Sequence, residues 1–176
     1  MTDQPPGQPY GDQPLPPEAY TPWLTRVVAW LIDQLPVYLV IGIGSWIWLA
    51  SAQGTVCVTD SSEYELGEFC KEGFIGPTVL GWAALAMATV FSLGFALWNL
   101  GFRQGNTGSS VGKTIMKFKV IGEKTGQPIG FGLSVIRQFA HFVDQIVCYI
   151  GYLLPLWDTK RQTLADKIMS TVCVQL

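Results

Sequence analysis

Three long apolar segments, separated by polar connections, dominate the hydrophobic pattern of this chain. They cover residues 23–50, 75–98 and 135–157, and the second segment carries no charged side chain. An α-helix rises about 1.5 Å per residue, so about 20 apolar residues cross the hydrocarbon core of a bilayer. The pattern therefore predicts an all-α fold, a small transmembrane helical bundle with three membrane segments.

The third segment allows two arrangements. Residues 135–157 suffice for one crossing but are too few for two complete crossings, which favours a single spanning helix. A break between Gly151 and Pro155 would instead make the segment re-entrant and return the basic residues that follow to the side from which it came. Both arrangements remain open, and we expect the single span.

Two features of the first two segments bear on how they pack. In the second segment, small residues recur every four positions and share one helix face; they are Ala84, Ala88, Ser92 and Ala96. Such a face either receives a neighbouring helix or reflects the abundance of alanine in membrane helices. In the first segment, Pro36 removes a backbone hydrogen bond, which predicts a kink.

The polar connections differ in charge and so predict the topology. The connection 51–73 is acidic, with Asp60, Glu63, Glu65, Glu68 and Glu72 against Lys71. The next connection is basic, with Arg103, Lys113, Lys117, Lys119 and Lys124 against Glu123. Short basic loops remain in the cytoplasm. We therefore expect a multi-pass protein of the bacterial plasma membrane, with a cytoplasmic amino terminus and loop 51–73 outside.

Cysteines and glycines add detail to the two connections. Cys57 and Cys70 both lie in the predicted outer loop, where an oxidising compartment favours a disulfide over two free thiols. In the basic connection, residues 105–114 are similar to a phosphate-binding loop, but Thr107 occupies a required glycine position. We expect no nucleotide there. We predict instead a glycine turn and a short amphipathic helix with Ile115, Met116 and Phe118 on its apolar side, with short strands in this connection and the carboxyl-terminal tail.

The composition supports a membrane protein. Of the 176 residues, 49% are hydrophobic and only 14% are charged, whereas soluble domains carry about a quarter charged residues. Residues 1–22 are rich in proline and lack Lys and Arg, which predicts a disordered cytoplasmic tail before one membrane domain, 23–176. The net charge of −2 and the scattered basic residues do not suit a nucleic-acid-binding protein.

A repeated octad places opposite charges inside apolar sequence. Arg26 precedes Asp33 by seven residues, Arg137 precedes Asp144 by the same spacing, and Gln34 and Gln145 follow the two aspartates. Each such charge costs about 2.5 to 3.5 kcal/mol in the centre of a membrane helix, so the protein must supply partners. His141 lies one helical turn before Asp144, but no activated nucleophile accompanies the pair, so we do not predict an enzyme. We predict no cofactor and no bound metal.

These residues resemble those of the RDD family of bacterial membrane proteins, named for an arginine and two aspartates. The resemblance covers most of residues 23–176: Arg26 and Asp33, the run 112–121, Arg137 and Asp144, and the closing run 160–174. It implies that the second named aspartate is Asp166, with Asp144 an additional acidic position. Transport, including cation/proton exchange, has been proposed for members of this largely uncharacterised family.

Two interpretations of the charged residues follow. If Asp33 and Asp144 lie close together at one depth, with His141, Gln34 and Gln145 beside them, they would share a proton or hold a cation. Alternatively, each aspartate pairs with an arginine of the other helix, and the charges only lock the bundle together.

The first interpretation suggests cation/proton exchange. Three spans enclose little space, so a transport pathway would require a homo-oligomer. The competing hypothesis is a non-catalytic accessory or assembly subunit that uses its small-residue face to bind a larger membrane complex. Under either hypothesis the partners are membrane lipids and membrane protein, and Arg26, Arg137 and Asp166 supply charge partners inside the domain.

Overall fold

The structure, a computed structural model, describes residues 15–59, 68–146 and 148–176. Two helices in it are long and apolar enough to cross a membrane, α1 (Trp23–Ala50) and α2 (Val79–Thr107). The chain divides into two compact units: one is Pro36–Gly94, and the other combines the described residues up to Leu35 with Phe95–Leu176. The protein is thus mostly helical, with two candidate membrane spans and short strands.

In the unit Pro36–Gly94, an antiparallel hairpin connects the two long helices. Its strands are β1 (Gln53–Thr59) and β2 (Glu68–Phe74), and they place Cys57 directly opposite Cys70. The structure joins these two cysteines in a disulfide. The predicted acidic positions Asp60, Glu63 and Glu65 lie outside the described residues.

Small side chains allow the helices of this unit to approach closely. A Cβ atom added to Gly44 of α1 would lie only 2.6 Å from the Cβ of Ala88, which is buried together with Ser92. The rings of Trp48 and Trp82 meet edge to face with centroids 5.7 Å apart. The small-residue face of α2 therefore packs against α1 within the chain.

Helix α2 continues well beyond the predicted end at residue 98. Its stretch Leu97–Arg103 is π-helical, and the helix ends at Thr107, before Gly108 with a φ of 79°. The apolar sequence pattern stops at polar residues, so the predicted segment is too short. Asn99 and Gln104 are nevertheless buried and make hydrogen bonds inside the protein. A π-helical turn inside an α-helix is frequently found at a functional site.

Two short elements follow α2 and differ in part from the expected amphipathic helix. Helix α3 (Val111–Ile115) is short because strand β3 (Phe118–Gly122) begins three residues later. The side chain of Ser110 caps α3 by accepting a hydrogen bond from a backbone N–H. Ile115 is exposed as predicted for an apolar face, but Phe118 belongs to the strand and is buried.

The third apolar segment is broken rather than straight. It contains α4 (Gly130–Ile146) and a shorter helix α5 (Ile150–Leu156), which meet at an angle of 105°. Between them, Cys148 and Tyr149 have φ values of 50° and 62°, and such left-handed residues end a helix. The segment is therefore bent between Ile146 and Ile150, ahead of the predicted break at Gly151–Pro155, and the bent pair is either one broken span or a re-entrant loop.

The carboxyl-terminal tail closes the unit that contains α4. Helix α6 (Leu164–Ile168) precedes strand β4 (Thr171–Gln175), which pairs with β3 in an antiparallel sheet. Tyr20 adds an isolated bridge to Val174, and both side chains are buried. The ordered chain therefore includes Tyr20, so the predicted tail 1–22 extends too far at its carboxyl end; residues 1–14 of that tail lie outside the described residues.

Candidate functional site

The arginines of the two octads converge on one carboxylate, that of Asp166. Arg26 donates from Nη1 to Oδ2 at 2.9 Å, and Arg137 donates from Nε and Nη2 to Oδ1 at 3.1 and 2.5 Å. Asp166 is fully buried, and the two guanidinium side chains are 12% and 6% exposed. The three charges form a compact buried cluster with one more positive than negative charge.

Helix α6 orients Asp166 through a reciprocal cap. The Thr163 side chain accepts from the backbone of Asp166, and the Asp166 carboxylate accepts from the backbone N–H of Thr163. The hydroxyl of Thr171 also donates to Asp166. Burial alone would raise the pKa of Asp166, but the guanidinium groups of Arg137 and Arg26 outweigh it and hold that pKa well below its usual range.

Asp33 lies on α1 in a separate site whose donors are all neutral. Its Oδ1 accepts from Asn99 Nδ2 at 2.8 Å and from the backbone N–H of Gly112 at 2.7 Å. Its Oδ2 accepts from the Ser110 hydroxyl at 2.5 Å. Among the described residues, no Lys or Arg forms an ion pair with Asp33, although Asp33 is only 4% exposed.

Local backbone structure explains how these donors reach Asp33. Asn99 lies in the π-helical stretch of α2 and also accepts from the backbone N–H of Val111 at 2.8 Å, so its amide is held at both ends. Gly112 allows α3 to touch α1, because a Cβ there would overlap the Ala29 carbonyl oxygen and lie 3.0 Å from Asp33 Cγ. Glycine is therefore required at residue 112 by close packing.

Asp144 forms a third buried carboxylate site on α4. Its Oδ2 lies 2.7 Å from His141 Nδ1, and its Oδ1 accepts from the backbone N–H of Ala165 at 3.3 Å. Gly151 packs directly on the Asp144 side chain, where any Cβ would overlap it. The imidazole of His141 stacks on Tyr152 with the ring centroids 5.4 Å apart.

A cavity of about 470 Å³ connects the three sites. From the candidate residues named above, its lining includes Arg26, Asp33, Gln34, Arg137, His141 and Gln145. Lys113 also lines it, and the Lys113 Nζ donates to Gln104 Oε1 at 2.6 Å and to Ser110 Oγ at 3.3 Å. Asp144 and Asp166 do not line the cavity but lie directly behind His141 and Arg137.

Lys113 is a titratable group whose pKa falls near neutrality. Burial and the nearby Arg137 lower its pKa to about 8, against smaller opposing effects of Asp33, Cys173 and Asp166. The hydrogen-bond acceptors on its ammonium group are a neutral amide and a hydroxyl. Lys113 therefore contributes positive charge to the cavity below about pH 8 and loses it above.

The structure separates the predicted pair of intramembrane acids. Asp33 and Asp144 do not share a hydrogen bond, because each is held by its own set of donors on different elements. The locking interpretation is also wrong in its pairing, because Arg26 and Arg137 bind Asp166 and not the octad aspartates. Of the predicted companions, His141 contacts Asp144, whereas Gln34 and Gln145 line the shared cavity.

Several residues of the site escaped the sequence analysis. Asn99, Ser110 and Gly112 hold Asp33, and Lys113 adds a charge to the cavity wall. Two features of the sequence could have indicated them. Asn99 is a polar residue directly after an uncharged apolar segment. The glycine-rich turn at 105–114 allows close packing, which is an alternative role to nucleotide binding. In the described residues, no group of three or more His, Cys, Asp or Glu side chains is arranged to hold a metal ion.

Comparison with known proteins establishes the class of this chain. The profile of the RDD family matches residues 20–170, and the chain belongs to that family. It is 52% identical over 162 residues to "Proline-rich antigen homolog" of Mycobacterium tuberculosis (strain ATCC 25618 / H37Rv), a match that covers 92% of this chain and 66% of that protein.

Two further relatives extend this comparison. "Proline-rich antigen" of Mycobacterium leprae (strain TN) is 54% identical over 92% of this chain and 64% of its own length. "Uncharacterized protein YxaI" of Bacillus subtilis (strain 168) is 27% identical over 79% of this chain and 86% of its own length. The chain thus spans slightly less than two thirds of the mycobacterial relatives. No solved structure matches it.

Proposed function

We propose that this RDD-family membrane protein exchanges a monovalent cation for protons, with Asp33 and Asp144 as the acidic groups that bind them. The observation that carries the proposal is the convergence of both octad arginines on Asp166. Because Asp166 satisfies the arginines, Asp33 and Asp144 are buried acids of the apolar segments with which no Arg or Lys forms an ion pair among the described residues. Buried acids in membrane segments are expensive and usually mark ion or proton pathways.

Asp33 is suited to accept a proton or a cation. Its direct partners are an amide, a hydroxyl and a backbone N–H, so no ion pair has to break when a positive charge arrives. Gln34 follows it and lines the same cavity, where its amide oxygen supplies a further neutral ligand. Carboxylate and amide oxygens are suitable ligands for a hard monovalent cation.

Asp144 is suited to exchange protons with the cavity through His141. The His141 side chain lines the cavity, and its Nδ1 contacts the buried Asp144 carboxylate at 2.7 Å. Imidazole carries a proton on either ring nitrogen, so it relays protons between a buried acid and a wetted space. Gln145, also in the cavity lining, lies beside this pair in sequence.

The remaining parts of the proposal concern assembly and location. A chain with two or three spans encloses little volume, so we propose a homo-oligomer as the transporting unit. We propose a plasma-membrane location with a cytoplasmic amino terminus, in line with the basic connection between α2 and α4. We propose that the protein transports ions and does not catalyse a reaction. The accessory-subunit alternative is weaker, because α1 already occupies the small-residue face of α2.

The proposal is tested in proteoliposomes with a fluorescent reporter of internal pH. A gradient of Na⁺ or K⁺ should drive proton movement in the parent, and Asp33→Asn and Asp144→Asn should each abolish most of it. Asp158→Asn is the matched control, since Asp158 pairs with Lys167 outside the cavity lining and should leave the flux unchanged. Flux that survives both substitutions, or a parent without flux that copurifies with a stoichiometric larger partner, contradicts exchange.

A further inference from the structure

The exchange proposal leaves the cationic side of the cavity unexplained. Arg26, Arg137 and Lys113 line the cavity, whereas Asp33 is the lining residue that carries negative charge. Asp144 and Asp166 balance the total charge from behind the wall, but they are fully buried and offer nothing to a ligand. A molecule in the cavity therefore meets more positive than negative groups.

Arg26 has hydrogen-bonding capacity that the protein does not use. Its Nη1 binds Asp166 and its Nε donates to the Thr21 carbonyl at 3.3 Å, but its Nη2 is buried without a hydrogen-bond partner among the described residues. A buried guanidinium nitrogen without an acceptor costs free energy, and an anionic oxygen is the acceptor it binds most strongly. The Lys113 ammonium donates to neutral acceptors, an amide and a hydroxyl, and could likewise bind an anion.

These charges lie at the ends of apolar segments, where lipid headgroups are expected. Arg26 lies in the first turn of α1, which begins at Trp23, and Lys113 lies on α3, in the connection between two membrane segments. A tryptophan at the end of a span is typical of the membrane interface. Basic pockets between membrane helices near the interface are a recognised way to bind acidic lipid headgroups.

Much of the remaining cavity wall is apolar or aromatic, and this part reaches the protein surface. Trp30 and Tyr149 line the cavity and are 50% and 63% exposed, so they form its mouth on the first and third apolar segments. Leu100 and Pro155 add apolar lining further in. A small soluble anion would gain nothing from this surface, whereas an acyl chain would remain in contact with apolar groups from the bilayer into the cavity.

We propose that this cavity is a binding site for an anionic phospholipid, whose phosphate lies against Arg26 and Lys113 and whose acyl chains leave between Trp30 and Tyr149. The site uses the cationic wall and the aromatic mouth, so it does not depend on cation/proton exchange. In this proposal a membrane lipid is a specific ligand of the protein and not only its solvent. A bound phosphodiester supplies the acceptor that Arg26 Nη2 lacks.

Binding is tested on the full chain in a neutral detergent, with short-chain dioctanoyl lipids as probes. Native mass spectrometry and thermal stabilisation should show binding of dioctanoyl phosphatidylglycerol at least tenfold tighter than of dioctanoyl phosphatidylcholine. Inorganic phosphate and glycerol 3-phosphate should bind at least tenfold more weakly than the anionic lipid, because they lack acyl chains. Equal binding of the two lipids, or of glycerol 3-phosphate and the anionic lipid, overturns the proposal.

Variants separate this site from a general attraction of basic residues for acidic lipid. Lys113→Gln retains a donor for Gln104 and should weaken anionic-lipid binding about tenfold, the effect of losing one charge-assisted hydrogen bond. Trp30→Ala should weaken binding of both lipid classes. Lys117→Gln, outside the cavity lining, should leave the affinity unchanged. Equal loss in Lys113→Gln and Lys117→Gln overturns the proposal.

Discussion

Replacement of Asp166 by asparagine should destabilise the protein strongly, because one carboxylate serves two buried guanidinium groups. Asp166 accepts three hydrogen bonds from Arg26 and Arg137, at 2.9, 3.1 and 2.5 Å, and a further bond from Thr171 at 3.0 Å. An asparagine in its place would leave two buried positive charges facing each other across a neutral amide. Removal of one partner from a buried ion pair costs about 3 to 5 kcal/mol.

The cost is measurable by thermal unfolding in detergent, followed by tryptophan fluorescence. For a chain of this size, a loss of about 4 kcal/mol lowers Tm by roughly 10 °C. The matched control is Glu123→Gln, which breaks the ion pair Lys160–Glu123 at the same 2.5 Å distance as the Arg137 contact, but with side chains 37% and 31% exposed. An exposed pair contributes about 0 to 1 kcal/mol. Equal Tm shifts for the two variants would refute the reasoning.

A second comparison separates the cluster's charge from its packing. The triple variant Arg26→Met, Arg137→Met and Asp166→Leu replaces all three charges with apolar side chains of comparable length. Because buried ion clusters cost much desolvation, such replacements are often neutral or stabilising. We therefore expect the triple variant to unfold at a higher temperature than Asp166→Asn. A triple variant that is less stable than Asp166→Asn would show that packing, and not uncompensated charge, dominates.

Three further outcomes follow from the same contacts. Gly112→Ala should lose about 2 to 3 kcal/mol because its Cβ would overlap the Ala29 carbonyl, whereas Gly132→Ala, with open space around it, should be neutral or stabilising in thermal unfolding. Binding of dioctanoyl phosphatidylglycerol should weaken as the pH rises through about 8, where Lys113 loses its proton, and Lys113→Gln should remove that step. Burial raises the pKa of the Cys173 thiol, so N-ethylmaleimide should modify it only after unfolding, as mass spectrometry can show.

The hydrophobic pattern alone was enough to locate the first two membrane segments. Trp23–Ala50 matches the predicted first segment. The predicted second segment begins four residues before α2 begins and ends nine residues before α2 ends, because Asn99 and Gln104 are buried in spite of their polarity. The break at Cys148 and Tyr149 could not be foreseen from composition, because neither residue type is a usual helix terminator.

The sequence analysis named many residues of the candidate site but did not predict which carboxylate pairs with which arginine. The octads correctly singled out Arg26 and Arg137 as charges that need partners, but sequence spacing relates residues within one helix only. Which carboxylate receives both arginines depends on where α6 places Asp166, which is a tertiary contact. The donors of Asp33 come from the amino-terminal end of the short helix α3 and from a π-helical turn, and neither has a hydrophobic period that would reveal it.

Proton release on cation binding is the measurement that tests the account most directly. Purified protein in weakly buffered detergent is mixed with NaCl or KCl, with choline chloride as the ionic-strength control, and the pH is followed with an indicator dye. The account predicts proton release by the parent with NaCl or KCl, loss of that release in Asp33→Asn, and none with choline. Equal release by the parent and by a variant with Asp33→Asn and Asp144→Asn together would contradict it.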